Sequence, residues 1–490
     1  MSLRAQGLKG GAYLGTREAF GILVRLVGVL LLTRLIGPDN FGVYAGSLAV
    51  VTVLATFAQL GTEAYLMRLP ADEAHPDRFH EAFTLVALSS VGITALCWVA
   101  GLILLSQLDG VSYLWPFLVL TLSIPINTMW APSQALIERD LRYRQMAILE
   151  VGSDVVLYGV ALPIAFADGG VWAPVAGWLA AQTWLLFGSA FLARYRPRWR
   201  WSGSEVRSMV RWGFPFAAGT WVLTYPTEIV NPIIVGPLLG TSGVGYVALL
   251  LRLVDTLGFV QRATRRMALV IFGRVQSDLE RLKRAVEDAM ALQLLALGVP
   301  LAGFGLVVEE ALPRLFGQEW APAVDAYPTF ALAFFLTAAF QVQASALAVT
   351  KRNAPIVLAS IAQLALIVVA ALAFIPSWEL EGVGAARLVS VVGLIGLHLA
   401  LHPTLGFSYR KGLVWVLTLG PAIALSAAPW PWRGLAIVCG ASGLLVPVGR
   451  HQIIELLQLV LGRARAAAPD TPPAVATIAP AGSSTREATP

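Results

Sequence analysis

The chain has 490 residues, 57% apolar and 13% charged, with mean hydropathy +0.71 and a formal charge of +6. Apolar residues run on for twenty or more positions instead of alternating with polar ones, which argues against a soluble enzyme and leaves a lipid bilayer as the solvent that suits the chain. The two cysteines, Cys97 and Cys439, form no motif, and the five histidines show no metal-ligand spacing beyond the pair His398/His402, so no disulfide framework or metal site is expected.

The first predicted span, 14–36, carries Arg25 at its centre; it follows Arg4 and Lys9, has no obvious cleavage site, and is read as retained. It ends in the turn Leu35-Ile36-Gly37-Pro38-Asp39-Asn40-Phe41-Gly42, which leads into a second span, 41–66, with Glu63 near its end. Spans at 82–106 and 112–136 follow, the latter with Asn127 and Ser133. The fifth, 146–167, places Glu150, Asp154 and Tyr158 on one helical face. The sixth, 171–193, opens on Gly170-Val171 and is followed by Arg194, Arg196, Arg198 and Arg200.

The seventh span, 213–237, contains Glu228 and two prolines, Pro226 and Pro232, which should bend or break it. The eighth, 243–268, is entered through Leu238-Leu239-Gly240-Thr241-Ser242-Gly243-Val244-Gly245, a second copy of the first turn 203 residues on, and carries Arg252 near its middle and Asp255. A basic stretch through Arg284 leads to spans at 288–308, 324–349, 354–375 and 382–402; the tenth has Gln341, Gln343 and Ser345, and the last opens on Gly382-Val383 with Arg387 a turn and a half inside. Two further spans, 412–428 and 432–449, precede an Ala-, Pro-, Thr- and Ser-rich tail expected to be disordered.

The predicted fold class is an all-α integral membrane protein with fourteen transmembrane helices. The repeated turn and the Gly-Val echo imply internal duplication. Six spans per repeat give parallel repeats: an N-terminal six-helix bundle (1–200), a C-terminal one (201–405), two additional helices and their end (406–465) and the tail (466–490). With the N-terminus in the cytoplasm, 29 of the 35 Lys and Arg fall on cytoplasmic segments or span ends, so both termini are placed there. The charge is a topology signal and an attraction to anionic headgroups; no nucleic-acid partner is expected.

The segment LTRLIGPDNFGVYAGSLAVVTVLATFAQLGTEAYLMR, Leu32–Arg68, resembles the first hairpin of polysaccharide-lipid flippases in the multidrug/oligosaccharidyl-lipid/polysaccharide exporter superfamily. So do its second copy at Val235–Leu253 and the Gly-Val starts of spans six and twelve. The resemblance runs over residues 10–405. It implies a carrier in the bacterial inner membrane that moves undecaprenyl-diphosphate-linked oligosaccharide from the cytoplasmic to the outer leaflet by alternating access, without being an enzyme. Its partners are then the lipid-linked oligosaccharide, membrane lipids, and a polysaccharide polymerase or glycosyltransferases.

A lipid diphosphate must be given fixed cations in place of water, and arginine offers a planar fork that matches phosphate oxygens. Arg25 and Arg252, and less centrally Arg387, are the substrate-binding candidates. The alternative is structural pairing, Arg25 with Glu18 and Arg252 with Asp255. Asp154, Asp255 and Glu228 are candidates for coupling transport to protons or sodium, or else static partners of the arginines; no other cofactor is expected. Asn127, Ser133, Gln341, Gln343 and Ser345 could meet sugar hydroxyls or bond between helices. The last two spans could pack passively or guide a lipid tail. The competing functional readings are an ion-coupled multidrug or metabolite antiporter of the same superfamily, which would favour an acidic cavity, and a membrane enzyme, for which no catalytic constellation exists.

Overall fold

The computed structural model describes residues 3–70, 73–107, 114–140, 142–224, 230–258, 261, 268, 271–350 and 352–460. Among the described residues there is no strand, as expected where no water is at hand to satisfy backbone groups left open between segments. In chain order the helices are α1 (Leu3–Gln59), α2 (Thr62–Arg68), α3 (Pro76–Gln107), α4 (Leu114–Thr121), α5 (Ser123–Met129), α6 (Ala131–Arg139), α7 (Tyr143–Phe166), α8 (Trp172–Ala193) and α9 (Gly203–Thr224). Then come α10 (Gly236–Leu257), α11 (Leu279–Phe316), α12 (Ala323–Val349), α13 (Ala354–Ser390), α14 (Ile395–Leu405), α15 (Arg410–Ala424), α16 (Trp432–Ser442) and α17 (Pro447–Val460). Nine segments among the described residues are long and apolar enough to cross a membrane.

Several of these elements are broken where the sequence dictates. Helix α1 has a non-helical residue at Gly37 (φ 73°, ψ 172°), a conformation glycine adopts without steric cost. The chain folds back there: Gly28 of the first arm lies against the Tyr158 ring, and Tyr44 of the second is within electrostatic reach of the same phenol. In a straight helix those two positions would stand about 24 Å apart. Gly240 in α10 has nearly the same torsions, φ 74° and ψ −171°.

Helix α13 breaks at Glu379 (φ 45°, ψ −123°), and Gly382 then packs onto the Phe374 carbonyl. The predicted fourth span is three short helices, α4 to α6. Pro125 has no N–H for the carbonyl of Thr121, and that oxygen accepts instead from Thr94 Oγ1 at 3.3 Å.

Two differences from expectation concern lengths. The predicted span 288–308 lies inside the much longer α11, because 279–287 is itself amphipathic, burying Leu282 and Val286 behind an Asp278 cap that accepts from the Arg281 N–H at 3.1 Å. The two C-terminal spans form helices of 15 and 11 residues. At 1.5 Å per residue these fall short of the roughly 30 Å hydrocarbon core; Pro429, Pro431 and Pro447 bound them.

The second arm of α1 is pinned at both ends to segments beyond residue 200. At the Gly37 end, a Cβ on Gly42 would sit 2.8 Å from Gly245 N and closer still to the Thr241 carbonyl. Reciprocally, a Cβ on Gly245 would sit 3.0 Å from the Pro38 carbonyl carbon and 3.2 Å from Gly42 N. Thr241 Oγ1 donates to Asp39 at 2.8 Å, Arg34 donates to the Arg314 carbonyl at 3.0 Å, and Phe41 meets the fully buried Trp320 edge-on.

At the other end Gly61 (φ 73°) lies against the backbone of Gly213 in α9. The Arg68 guanidinium stands 4.0 Å from the Trp212 ring centre. Tyr65, Leu66 and Phe79 form a core there with Val206 and Met209 of α9. The link from α8 is anchored by Tyr195, which stacks on His80 and donates to the Phe79 carbonyl at 2.9 Å; burial pushes its phenol well above the ordinary range.

Candidate functional site

The first arm of α1 carries Gly21, Arg25 and Gly28 on one face. Gly28 lets α7 approach, because a Cβ there would overlap the Tyr158 ring, whereas one on Gly21 would make an ordinary contact with Val151. Between those contacts Arg25 Nε faces Asp154 Oδ2 at 3.6 Å, with the two side chains 48% and 20% exposed. One turn along α7 from Asp154, the Tyr158 hydroxyl accepts from Arg252 Nη2 of α10 at 3.3 Å. Three helices thus bring together two guanidinium groups, one carboxylate and one phenol.

Of these four groups two are cationic and one is a carboxylate, with Glu150 one turn from Asp154 and Asp255 one turn from Arg252. Both arginines are exposed, and the contacts described for each, Arg25 to Asp154 and Arg252 to Tyr158, leave other guanidinium donors to spare. This arrangement is able to hold an anion with two or more oxygens by forked, charge-assisted hydrogen bonds.

The other sequence candidates fall elsewhere. Arg387 sits on the second arm of α13, half-buried, 5.7 Å from the Phe330 ring centre, and is not part of the cluster. Asp255 lies one turn beyond Arg252 and is exposed. Glu228 and Pro226 lie outside the described residues, as does the Glu18 side chain, so the partner the structure gives Arg25 is Asp154. Pro232 opens a π-helical turn, Asn231–Val235. The His398 and His402 rings lie 5.0 Å apart, tilted by 39°, beside Phe407 and Tyr409.

Two of the polar candidates bond between helices: Asn127 donates to Gln182 at 2.9 Å and Gln343 to the Tyr409 hydroxyl at 2.8 Å. Ser345 donates to the Gln341 carbonyl within its own helix, and Ser133 is buried.

A cavity of about 540 Å³ lies along the lower part of the second α1 arm, lined among others by Thr52, Thr56, Gln59, Glu63, Asn127 and Trp178. Of these, sequence reasoning singled out Asn127 and Glu63 and missed the rest. Part of the signal was present: 52, 56 and 59 follow the i, i+4, i+7 spacing of one helical face in an otherwise apolar run, while Glu63 lies on α2 beyond the break at Gly61.

The fold is that of transporters of the multidrug/oligosaccharidyl-lipid/polysaccharide exporter superfamily. It superposes on a lipid II flippase, MurJ, in an inward closed conformation with a TM-score of 0.71 at 11% identity, covering 92% of this chain and 100% of that one. An inward-facing multidrug resistance MATE transporter follows at a TM-score of 0.57 and 12% identity, covering 78% and 95%.

Residues 31–325, more than half of the chain, match the polysaccharide biosynthesis protein family, and the chain belongs to it. It is 24% identical over 317 residues to the succinoglycan biosynthesis transport protein ExoT of Rhizobium meliloti, a match covering 64% of this chain and 63% of that protein. It is 23% identical to the lipopolysaccharide biosynthesis protein WzxC of Escherichia coli, covering 65% of each. The chain thus spans just under two thirds of the length of these relatives. They are named for transport and biosynthesis of polysaccharide, and the reading of this protein as an enzyme is set aside.

Proposed function

We propose that the protein is a flippase that carries a lipid-diphosphate-linked oligosaccharide, with undecaprenyl as the lipid, from the cytoplasmic to the outer leaflet of the bacterial inner membrane. The observation that carries this reading is the Arg25–Asp154–Tyr158–Arg252 cluster. Two exposed arginines are held in a body otherwise apolar, where a fixed cation is costly unless an anion passes it. Family membership and the transport names of the relatives support the same class.

In this reading residues 1–200 and 201–405 are two parallel six-helix bundles. The equal torsions of Gly37 and Gly240 and the reciprocal packing of Gly42 and Gly245 support it, because a two-fold axis between equivalent turns makes such contacts in pairs. Residues 406–465 are added helices, making fourteen spans with 466–490 beyond them, and both termini face the cytoplasm. The Gly37 end then faces outward and is the closed end. Transport runs by alternating access, and Asp154 and Asp255 are where a proton or sodium gradient could act; Glu228 is a further candidate. A polymerase or glycosyltransferases act as partners before and after the flipping step.

The test is reconstitution of the full chain in vesicles holding undecaprenyl-diphosphate-linked glycan extracted from the producing cells. The expected result is protein-dependent movement of the glycan to the face where a membrane-impermeant lectin detects it, lost in Arg25→Ala and Arg252→Ala. Movement unaffected by both substitutions would overturn the assignment of the cluster. The MATE-like fold keeps an ion-coupled antiporter as the second reading; uptake of a cationic dye in the same vesicles would select it.

A further inference from the structure

The cavity beside α1 differs in chemistry from the arginine cluster. Among the described residues its lining includes no Lys or Arg, and the ionisable group there is Glu63. Those residues offer a diphosphate no cation. They offer instead hydrogen-bonding groups beside the Trp178 ring, with apolar wall from Val51, Ala55, Met67 and Ala217, in a volume of about 540 Å³, within the roughly 300–1,000 Å³ of small-ligand sites.

The groups are poised for hydroxyls. The side chains of Gln59 and Glu63 make no hydrogen bond or ion pair among the described residues, so an amide with donors and acceptors and a carboxyl group able to meet neighbouring hydroxyls are both available. Asn127 spends an N–H on Gln182 and keeps its carbonyl. Thr52 donates to the Leu48 carbonyl one turn back at 2.8 Å, which leaves its oxygen able to accept. The Trp178 indole N–H is fixed on Ser123 Oγ at 3.2 Å, which orients the ring and leaves its face as an apolar platform. Alternating donors and acceptors beside an aromatic face suit a pyranose, whose rim is hydroxyls and whose faces carry C–H groups.

We infer that this cavity is a saccharide site, receiving the sugars next to the lipid diphosphate while the phosphates lie on Arg25 and Arg252. The inference rests on the flippase reading and divides its substrate between two places. Charge goes to the cluster that joins α1, α7 and α10. Hydroxyls go to Thr52, Gln59 and Glu63, with Asn127 and Trp178 opposite.

Binding of two probes to the purified full chain tests it: undecaprenyl diphosphate without sugar, and the lipid-linked glycan extracted from the producing cells. Wild type is expected to bind the glycan-bearing probe more tightly. Gln59→Ala and Trp178→Ala should each weaken that probe by roughly three- to tenfold, the worth of a lost hydrogen bond or ring contact, and leave the bare lipid unchanged, which also reports that the variants are folded. Arg25→Ala should weaken both probes. Equal loss for both probes in Gln59→Ala and Trp178→Ala, or no loss for either, overturns the saccharide site while leaving the flippase reading intact. If wild type binds neither probe, the flippase reading falls, and the saccharide site with it.

Discussion

A methyl group at Gly42 is the sharpest perturbation of the closed end. Ordinary van der Waals contact begins at 3.4 Å, and the added carbon would lie 2.8 Å from Gly245 N and nearer to the Thr241 carbonyl oxygen, both rigid helix backbone. No rotamer relieves such an overlap; α1 and α10 must separate by more than an ångström at the carbonyl. Overpacking of this kind costs about 1–3 kcal/mol, borne only by the state in which the two turns touch. The population closed at this end should therefore fall by about 5- to 150-fold relative to any state in which they part.

The assay is cross-linking of Asp39→Cys with Thr241→Cys, whose native side chains are hydrogen-bonded at 2.8 Å, in a background with Cys97 and Cys439 replaced by alanine. A short bifunctional thiol reagent applied to membranes should join the pair rapidly in the parent and far more slowly with Gly42→Ala. The reciprocal Gly245→Ala should behave alike. An unchanged cross-linking rate with normal export in both variants would refute the argument that backbone contact at these glycines closes this end.

Three further outcomes follow from the same structure. Arg25→Ala and Arg252→Ala should abolish glycan display on intact cells with near-normal yields of monodisperse protein, and Arg→Lys should restore display only in part because the fork is lost; a collapse in yield would mark the arginines as structural partners of Asp154 and Tyr158. Tyr158→Phe removes one hydrogen bond to an arginine that keeps other donors, so thermal stability in detergent should drop by no more than about 1–3 kcal/mol, and a total loss of folded protein would contradict the contact described. Asp154→Asn mimics a permanently protonated acid; if Asp154 carries coupling, export should lose its dependence on the ion gradient, and a retained dependence would confine the residue to holding Arg25.

Much of this was legible in one dimension. Apolar run length called for membrane helices because the bilayer leaves the backbone no other partner. The repeated Leu-Ile-Gly-Pro and Leu-Leu-Gly-Thr turns reappear as two glycines with matching torsions, since a helix reversal at φ near 73° is a local requirement that only glycine meets cheaply. The face shared by Asp154 and Tyr158 also follows from helical spacing alone. Length and hydropathy counted 412–428 and 432–449 as spans, and the regular helices there are shorter, 15 and 11 residues.

Pairing belonged to the tertiary structure. By sequence Arg25 has Glu18 within reach on its own helix and Arg252 has Asp255; the structure adds contacts to Asp154 and Tyr158 on α7, more than ninety residues from either arginine, and the Glu18 side chain lies outside the described residues. Spacing along a helix states which residues share a face, but not which foreign helix that face meets; that is settled by close packing, here by Gly28 admitting the Tyr158 ring of α7 against α1. Likewise the shared face of Thr52, Thr56 and Gln59 was written in the sequence as a helical period, while the cavity they line also takes Glu63 from α2 and Asn127 and Trp178 from α5 and α8. Composition and period determined that the chain is helical, membrane-embedded and turned twice in the same way; the charge cluster and the cavity came from contacts between helices distant in sequence, which no local pattern encodes.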